Sequence, residues 1–392
     1  MNRISNLKNF FFILLGFSIP ISVAFTNILI VAYSLTWIFE GDFPKKIKEI
    51  KSVKWISSLL LLISFYFLGM LYGDMHNDYS YVIKRVLLLL FFIPIVISEL
   101  KPKTYILALH AFLISNLTSA IIAVGINYDF INPIFDNSAI TVFLKYNYHN
   151  ILLSFSALLS FLMFLKSKSK SKYSFLYIVL ILIYSFSIFN EAGRAGQLTF
   201  NVFFICYAIF LLRSQFKFSI LIILFLIIIN FFSYKNSSIF KHRVDHLTHI
   251  VQNDGQKKNK NSVEKDIRYL FTKTGLELIR KKPIFGYGTG SFSSVFKLET
   301  ETSYDLNKHK TPHNNYLYIL FELGFIGLIF FLSIFYFQIK ELLNKDLINT
   351  EKLLLPLFML FLMLFDSYMF IFSITLFYIF MYKIFTQLDF KQ

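Results

Sequence analysis

Hydrophobic residues along this chain fall in long blocks parted by short polar connections, at about 9–39, 55–73, 81–98, 104–125, 148–165, 173–190, 197–212, 216–233, 314–338, 353–366 and 368–386. Most blocks approach the ~20 apolar residues that carry a helix across a hydrocarbon core. Period-two alternation is absent, which argues against a membrane barrel. The first block is too long for one upright span and holds Pro20 near its middle, so two helices are predicted to meet there. With that split, the pattern predicts an all-α, polytopic integral membrane protein of about twelve transmembrane helices and one large loop. The last two blocks are parted by little beyond Asp366 and Ser367. No cleavable signal peptide is expected, because the first block outruns a signal's short apolar core and lacks a small-residue cleavage site.

Composition agrees with this pattern. Hydrophobic residues make up 56% of the 392, aromatic residues 19% and charged residues only 16%, well below the roughly one quarter usual for soluble domains. The formal charge of +16 invites a nucleic-acid reading, but the lysines crowd the short connections, where they set topology. Lys45, Lys46, Lys48, Lys51 and Lys54 share one connection, and Lys166, Lys168, Lys170 and Lys172 another. Counted through alternating spans, these fall on one side with both termini, while the opposite short loops hold little beyond Lys145 and Arg194. The positive-inside rule makes that basic side cytoplasmic. No nucleic-acid partner is expected. The single cysteine, Cys206, excludes an internal disulfide and reads as a small core residue.

The chain divides into N-terminal transmembrane helices (1–233), a large periplasmic loop (234–313) and C-terminal transmembrane helices (314–392). Within the loop, GQKKNKN (255–261) reads as solvated. Over 262–280, Ser262 can cap a helix whose apolar stripe comprises Val263, Ile267, Leu270, Phe271, Leu276 and Ile279. The run Gly286-Tyr287-Gly288-Thr289-Gly290 follows, with a backbone free to bend tightly or approach a ligand.

Four features could carry chemistry. Arg194 sits in EAGRAGQ (191–197) between two spans, where a guanidinium and backbone N–H groups can meet one anion; it would equally serve as an interfacial anchor. Lys84 and Arg85 lie just inside the outer end of the 81–98 block, the wrong side for topology-setting charge, so an anionic lipid, a substrate or an acidic neighbour should compensate them. Arg268 and Arg280 share the loop helix about 120° apart around it, so they cannot both face one ligand squarely. Either could instead sit on a solvated face or pair with Asp266 or Glu277. His313 opens the block that follows the loop, as a proton carrier or as a helix cap. Gly324 and Gly327 allow close helix approach further on. His242, His246 and His249 share a helix face, but neither they nor any Asp/Glu/His cluster reads as a metal site. No metal and no cofactor is expected.

Arg194 in its short loop, Arg268 followed by PIFGYGTGSF (283–292), and HNNYLYILFELGFIGL (313–328) together resemble the O-antigen ligase and O-antigen polymerase superfamily. The resemblance implies a GT-C-like glycosyltransferase fold in the bacterial inner membrane, with a lipid-linked glycan donor. It implies that Arg194, Arg268 and His313 are catalytic; Lys84, Arg85, Arg280 and Asn314 are the expected substrate-binding residues. The expected partners are an undecaprenyl-diphosphate-linked glycan, a lipid A–core acceptor and membrane lipids. The transfer is expected to invert the sugar carbon without a metal. The single large loop and the chain length favour a ligase over protein-glycosylating members. The alternatives are an O-antigen polymerase and, from another class, a transporter or flippase of lipid-linked glycans. Transporters usually place charges at the midplane, whereas here the unusual residues cluster near one surface.

Overall fold

The computed structural model describes residues 2–73, 78–135, 140–167, 172–253, 263–299, 309–345 and 350–388. Among these residues the structure is helical and has no strand; one isolated bridge pairs Ile140 with Lys145. In chain order the helices are α1 (Asn2–Ser18), α2 (Val23–Phe39), α3 (Phe43–Ser52), α4 (Lys54–Tyr72), α5 (Tyr79–Leu88), α6 (Phe92–Ile97), α7 (Pro102–Asn127), α8 (Tyr146–Lys166) and α9 (Lys172–Asn190). They continue as α10 (Arg194–Leu211), α11 (Phe216–Asn236), α12 (Ser238–Asn253), α13 (Val263–Lys281), α14 (Phe292–Glu299), α15 (Asn315–Lys345), α16 (Leu354–Leu362) and α17 (Phe372–Gln387).

Eight spans among the described residues are long and apolar enough to cross a membrane, or up to nine if α2 and α3, bent by 118° at their junction, form one broken span. The chain is therefore a multi-pass, all-α membrane protein. The first apolar block divides as its proline predicts, with α1 ending at Ser18 and α2 starting at Val23. Proline supplies no N–H donor and clashes with the preceding turn, so a helix stops there readily.

The helices gather into two units, one formed by residues 33–99 and 259–386, the other by residues 2–32 and 100–258. In the second unit α8 lies innermost, with 78% of its apolar window buried, against 28% for α11. A helix buried all round needs small residues where neighbours approach, and α8 supplies buried Ser154, Ser156, Ala157 and Ser160. Cys206, expected in the core, is instead exposed on α10. A membrane helix can leave a small apolar side chain uncovered, because lipid receives it as readily as a protein core does.

The first unit is organised by a break in α15. Gly324 adopts φ 64°, ψ −162°, so the helix is interrupted inside its apolar stretch. A break in a hydrocarbon setting leaves backbone groups that need partners. The 283–290 loop provides them. Tyr287 and Gly288 donate their N–H groups to the Phe321 and Glu322 carbonyls at 2.9 and 2.8 Å, while Phe325 and Ile326 donate back to Pro283 and Ile284. Glu322 is fully buried and accepts the Gly290 N–H at 3.0 Å. Thr289 ties the same loop to α4, through its N–H to the Gly69 carbonyl and its hydroxyl to the Tyr66 carbonyl.

The two glycine-rich motifs are thus halves of one backbone lock. A side chain at Gly324 would collide with the Ile284 carbonyl, and one at Gly290 with the backbone of Tyr79. Gly324 therefore breaks its helix, where the sequence predicts a close helix–helix approach. The backbone approach expected of the 286–290 run is taken up by the protein itself.

Candidate functional site

The first of two candidate regions begins where α13 packs beneath the entry to α15. The buried stripe of α13 comprises Ile267, Phe271, Leu278 and Ile279. Leu276, predicted to share it, is 46% exposed, because Leu278 takes the inward position near the end of the helix. Ser262 lies outside the described residues. The Phe271 ring packs on the His309 and His313 imidazoles, with centroids 5.7 and 6.4 Å apart. Arg268 stands one turn before Phe271 and is exposed; Arg280 is exposed near the far end of the same helix. Neighbouring Lys281 pairs with Glu299 at 2.8 Å, and that hydrogen bond raises the lysine's pKa above its ordinary value.

Three consecutive residues then fasten the start of α15 to the connection between α16 and α17. His313 Nδ1 lies 3.1 Å from Asp366 Oδ1. Asn314 donates to the Leu364 carbonyl at 3.2 Å and accepts the Leu317 N–H at 3.0 Å, so it also serves as a helix cap. Asn315, fully buried, donates its N–H to the Met363 carbonyl and accepts the Met369 N–H on its side-chain oxygen. His313 itself has φ 54°, a left-handed backbone that a residue with a Cβ adopts only when its surroundings hold it there.

The imidazole is accessible: the His313 and Asp366 side chains are 28% and 24% exposed. Its Nε2 meets His309 Nδ1 only loosely, at 3.4 Å. Nearby cations are held by aromatic and acidic partners. Arg85 stacks on the Tyr81 ring with its guanidinium carbon 3.6 Å from the centroid. Lys310 lies over the same ring at 4.9 Å and pairs with Asp78 at 2.9 Å. Lys84 is exposed on α5.

The second region is the turn between α9 and α10. Arg194 opens α10 and is exposed. Beneath it Glu191 is buried and engages His149 Nδ1 at 2.9 Å, Ser187 Oγ at 2.9 Å and Thr141 Oγ1 at 3.1 Å. The other nitrogen of His149 meets Ser119 Oγ at 2.7 Å. Asn150 donates to the Ile188 and Gly193 carbonyls, and Gln197 to the Ile188 and Glu191 carbonyls. From α12, Arg243 donates to the Ala192 carbonyl and, at 3.2 Å, to Gln197 Oε1. Its pKa is lowered by burial first and by Arg194 second.

Residues 176–332 match the O-antigen ligase family. Both turns fall inside the matched segment, as do Arg268, the 283–290 loop and the α15 break. Lys84, Arg85, His149 and Asp366 lie outside it. The resemblance carried by the sequence motifs is therefore shown for this segment. Two curated relatives bear the printed name "putative polysaccharide ligase", one from Rickettsia conorii (43% identical) and one from Rickettsia felis (42%), each over 72 residues. Each alignment covers 17% of this chain and 17% of the relative's length.

The sequence reading missed three of these features. Asp366 was visible only as a boundary between apolar blocks, yet an acidic residue amid 34 largely apolar positions (353–386) is itself a signal of function. His149 and Arg243 gave no signal in spacing, since their partners lie 42 and 46 to 51 residues away. His242 and His246 do share a face, with rings 6.4 Å apart, and no group of metal-ligating side chains occurs among the described residues.

Proposed function

We propose that this protein is a ligase-type glycosyltransferase that moves a glycan from undecaprenyl diphosphate to lipid A–core oligosaccharide at the periplasmic face of the inner membrane. The observation that carries this reading is the His313–Asp366 pair: an accessible imidazole fixed by a carboxylate, opening a span within the O-antigen ligase match. With Nδ1 turned to Asp366, Nε2 faces the loose His309 contact, which an acceptor hydroxyl can replace.

In the proposed step His313 takes the hydroxyl proton as the acceptor oxygen bonds to the anomeric carbon. The bond from that carbon to the phosphate oxygen breaks, its electron pair leaves with the diphosphate, and the sugar carbon inverts. Arg194 and Arg268 would meet the developing negative charge. Lys84, Arg85 and Arg280 would hold the donor near the headgroups, with Asn314 beside the base. Guanidinium groups answering a charged leaving group make the transfer independent of a metal.

The test is the lipopolysaccharide banding of a deletion strain complemented with wild type, Arg194→Ala, Arg268→Ala or His313→Ala. The ligase reading expects the ladder to vanish, polymer to build up on its lipid carrier, and only wild type to restore the ladder. Collapse to a single-repeat band would instead make the protein a polymerase. An unchanged ladder would overturn the reading.

A further inference from the structure

The turn that presents Arg194 is approached by a second arginine. Arg243 crosses from α12 and spends two N–H groups on that turn, one on the Ala192 carbonyl and one on Gln197 Oε1. A guanidinium has five donors, so three remain. Among the described residues no carboxylate forms an ion pair with either arginine: Glu191, three residues before Arg194, is already engaged by His149, Ser187 and Thr141, and Asp245, two residues after Arg243, accepts the Tyr234 hydroxyl at 2.8 Å. Arg194 is close enough to Arg243 to disfavour its charged form. Two like charges gathered at one half-buried turn repel each other, and an anion carrying more than one negative charge would relieve that repulsion.

We propose that Arg243 is the second cation of the Arg194 site and that the pair recognises a diphosphate in preference to a single phosphate. This deepens the function proposed above and rests on its assignment of Arg194 to the donor's diphosphate. Each guanidinium presents a planar fork suited to one phosphoryl group, so two forks on one turn suit two linked phosphoryls. Arg243 has a second role through the backbone: by occupying the Ala192 carbonyl it fixes the turn from which Arg194 projects.

Binding to the full-length protein in nanodiscs separates the possibilities. The probes are radiolabelled undecaprenyl diphosphate and undecaprenyl monophosphate, with inorganic pyrophosphate as competitor. For Arg243→Gln we expect diphosphate affinity to fall about tenfold to a hundredfold, as for loss of one charged hydrogen-bonding group, with monophosphate affinity changed less than about threefold. Arg243→Lys, which keeps the charge, should recover part of the loss at an unchanged melting temperature. Tighter binding of the lipid than of free pyrophosphate in wild type identifies the lipid-linked diphosphate as the ligand; equal binding identifies the free anion, with the same dependence on Arg243. The proposal is overturned if Arg243→Gln binds the diphosphate like wild type while Arg194→Gln loses it. Equal loss of both lipids with a lowered melting temperature also overturns it, because Arg243 would then be only a clamp. If wild type and Arg194→Gln bind all three probes equally poorly, the reading of Arg194 has failed, and the donor assignment with it.

Discussion

Among the described residues, two imidazole–carboxylate pairs have nearly equal geometry in opposite surroundings. His313 and Asp366 lie 3.1 Å apart with side chains 28% and 24% exposed; His149 and Glu191 lie 2.9 Å apart with both side chains 1% exposed. The sealed pair has its second ring nitrogen on Ser119 and its carboxylate on two further hydroxyls, so every strong bond is already made. The open pair keeps a ring nitrogen on a 3.4 Å contact. A proton can be exchanged with a substrate only where the substrate can reach. The same chemistry thus braces the Arg194 turn in one place and, in the mechanism proposed above, supplies a base at the head of α15 in the other.

That contrast breaks most sharply at the open base. His313→Ala should lower the transfer rate about 10²- to 10⁴-fold, the usual contribution of a positioned acid–base group, with the melting temperature unchanged. A transfer assay on purified protein with donor and acceptor measures it, and full activity would remove His313 from the mechanism. At the sealed pair the expectation reverses. Glu191→Ala leaves buried His149 and Ser187, and also Thr141, without their shared acceptor and should cost about 1–3 kcal/mol of stability, seen as a lower melting temperature and a reduced yield of folded protein. Normal melting would mean the pair is not a support.

A third expectation concerns the lock that holds the 283–290 loop to α15. Gly324→Ala forces a side chain into a left-handed backbone and against the Ile284 carbonyl. The loss should be about 1–3 kcal/mol or more from strain alone, measured by thermal melting, with activity falling because the loop and the His313 turn belong to the same unit. Gly73, whose φ is negative, provides the comparison for a glycine valued for space alone.

Hydropathy made the helical, membrane-spanning architecture legible, because block length is a local property of the chain. The break near Pro20 was legible for the same reason. The lock was only half legible: the glycines announced special backbone, but which carbonyls they would serve depends on bringing residue 288 beside residue 322. The HNN run was read as His313, a proton carrier or helix cap, with Asn314 at the substrate, and its four hydrogen bonds to residues 363–369 follow from tertiary pairing that spacing does not encode. Asp366 shows the limit well. It is a lone acid in an apolar stretch, marked as unusual by its cost, yet it has no visible partner until α15 is laid against the connection between α16 and α17.

Asp366→Asn gives the finest test of the comparison between the two pairs. Asparagine can still accept from His313 Nδ1, but it brings no charge to stabilise an imidazolium, and its amide can turn the wrong way. Losing the charged character of one such hydrogen bond is worth about 1.5 kcal/mol, or roughly tenfold in rate. We therefore expect kcat to fall about tenfold with KM for the donor unchanged. Melting should move by no more than about 2 °C, since a half-exposed pair contributes under about 1 kcal/mol to folding. Unchanged kcat would mean that Asp366 does not orient His313. A melting loss as large as that of Glu191→Ala would place the open pair in the same structural role as the sealed one, and exposure would no longer separate a base from a support.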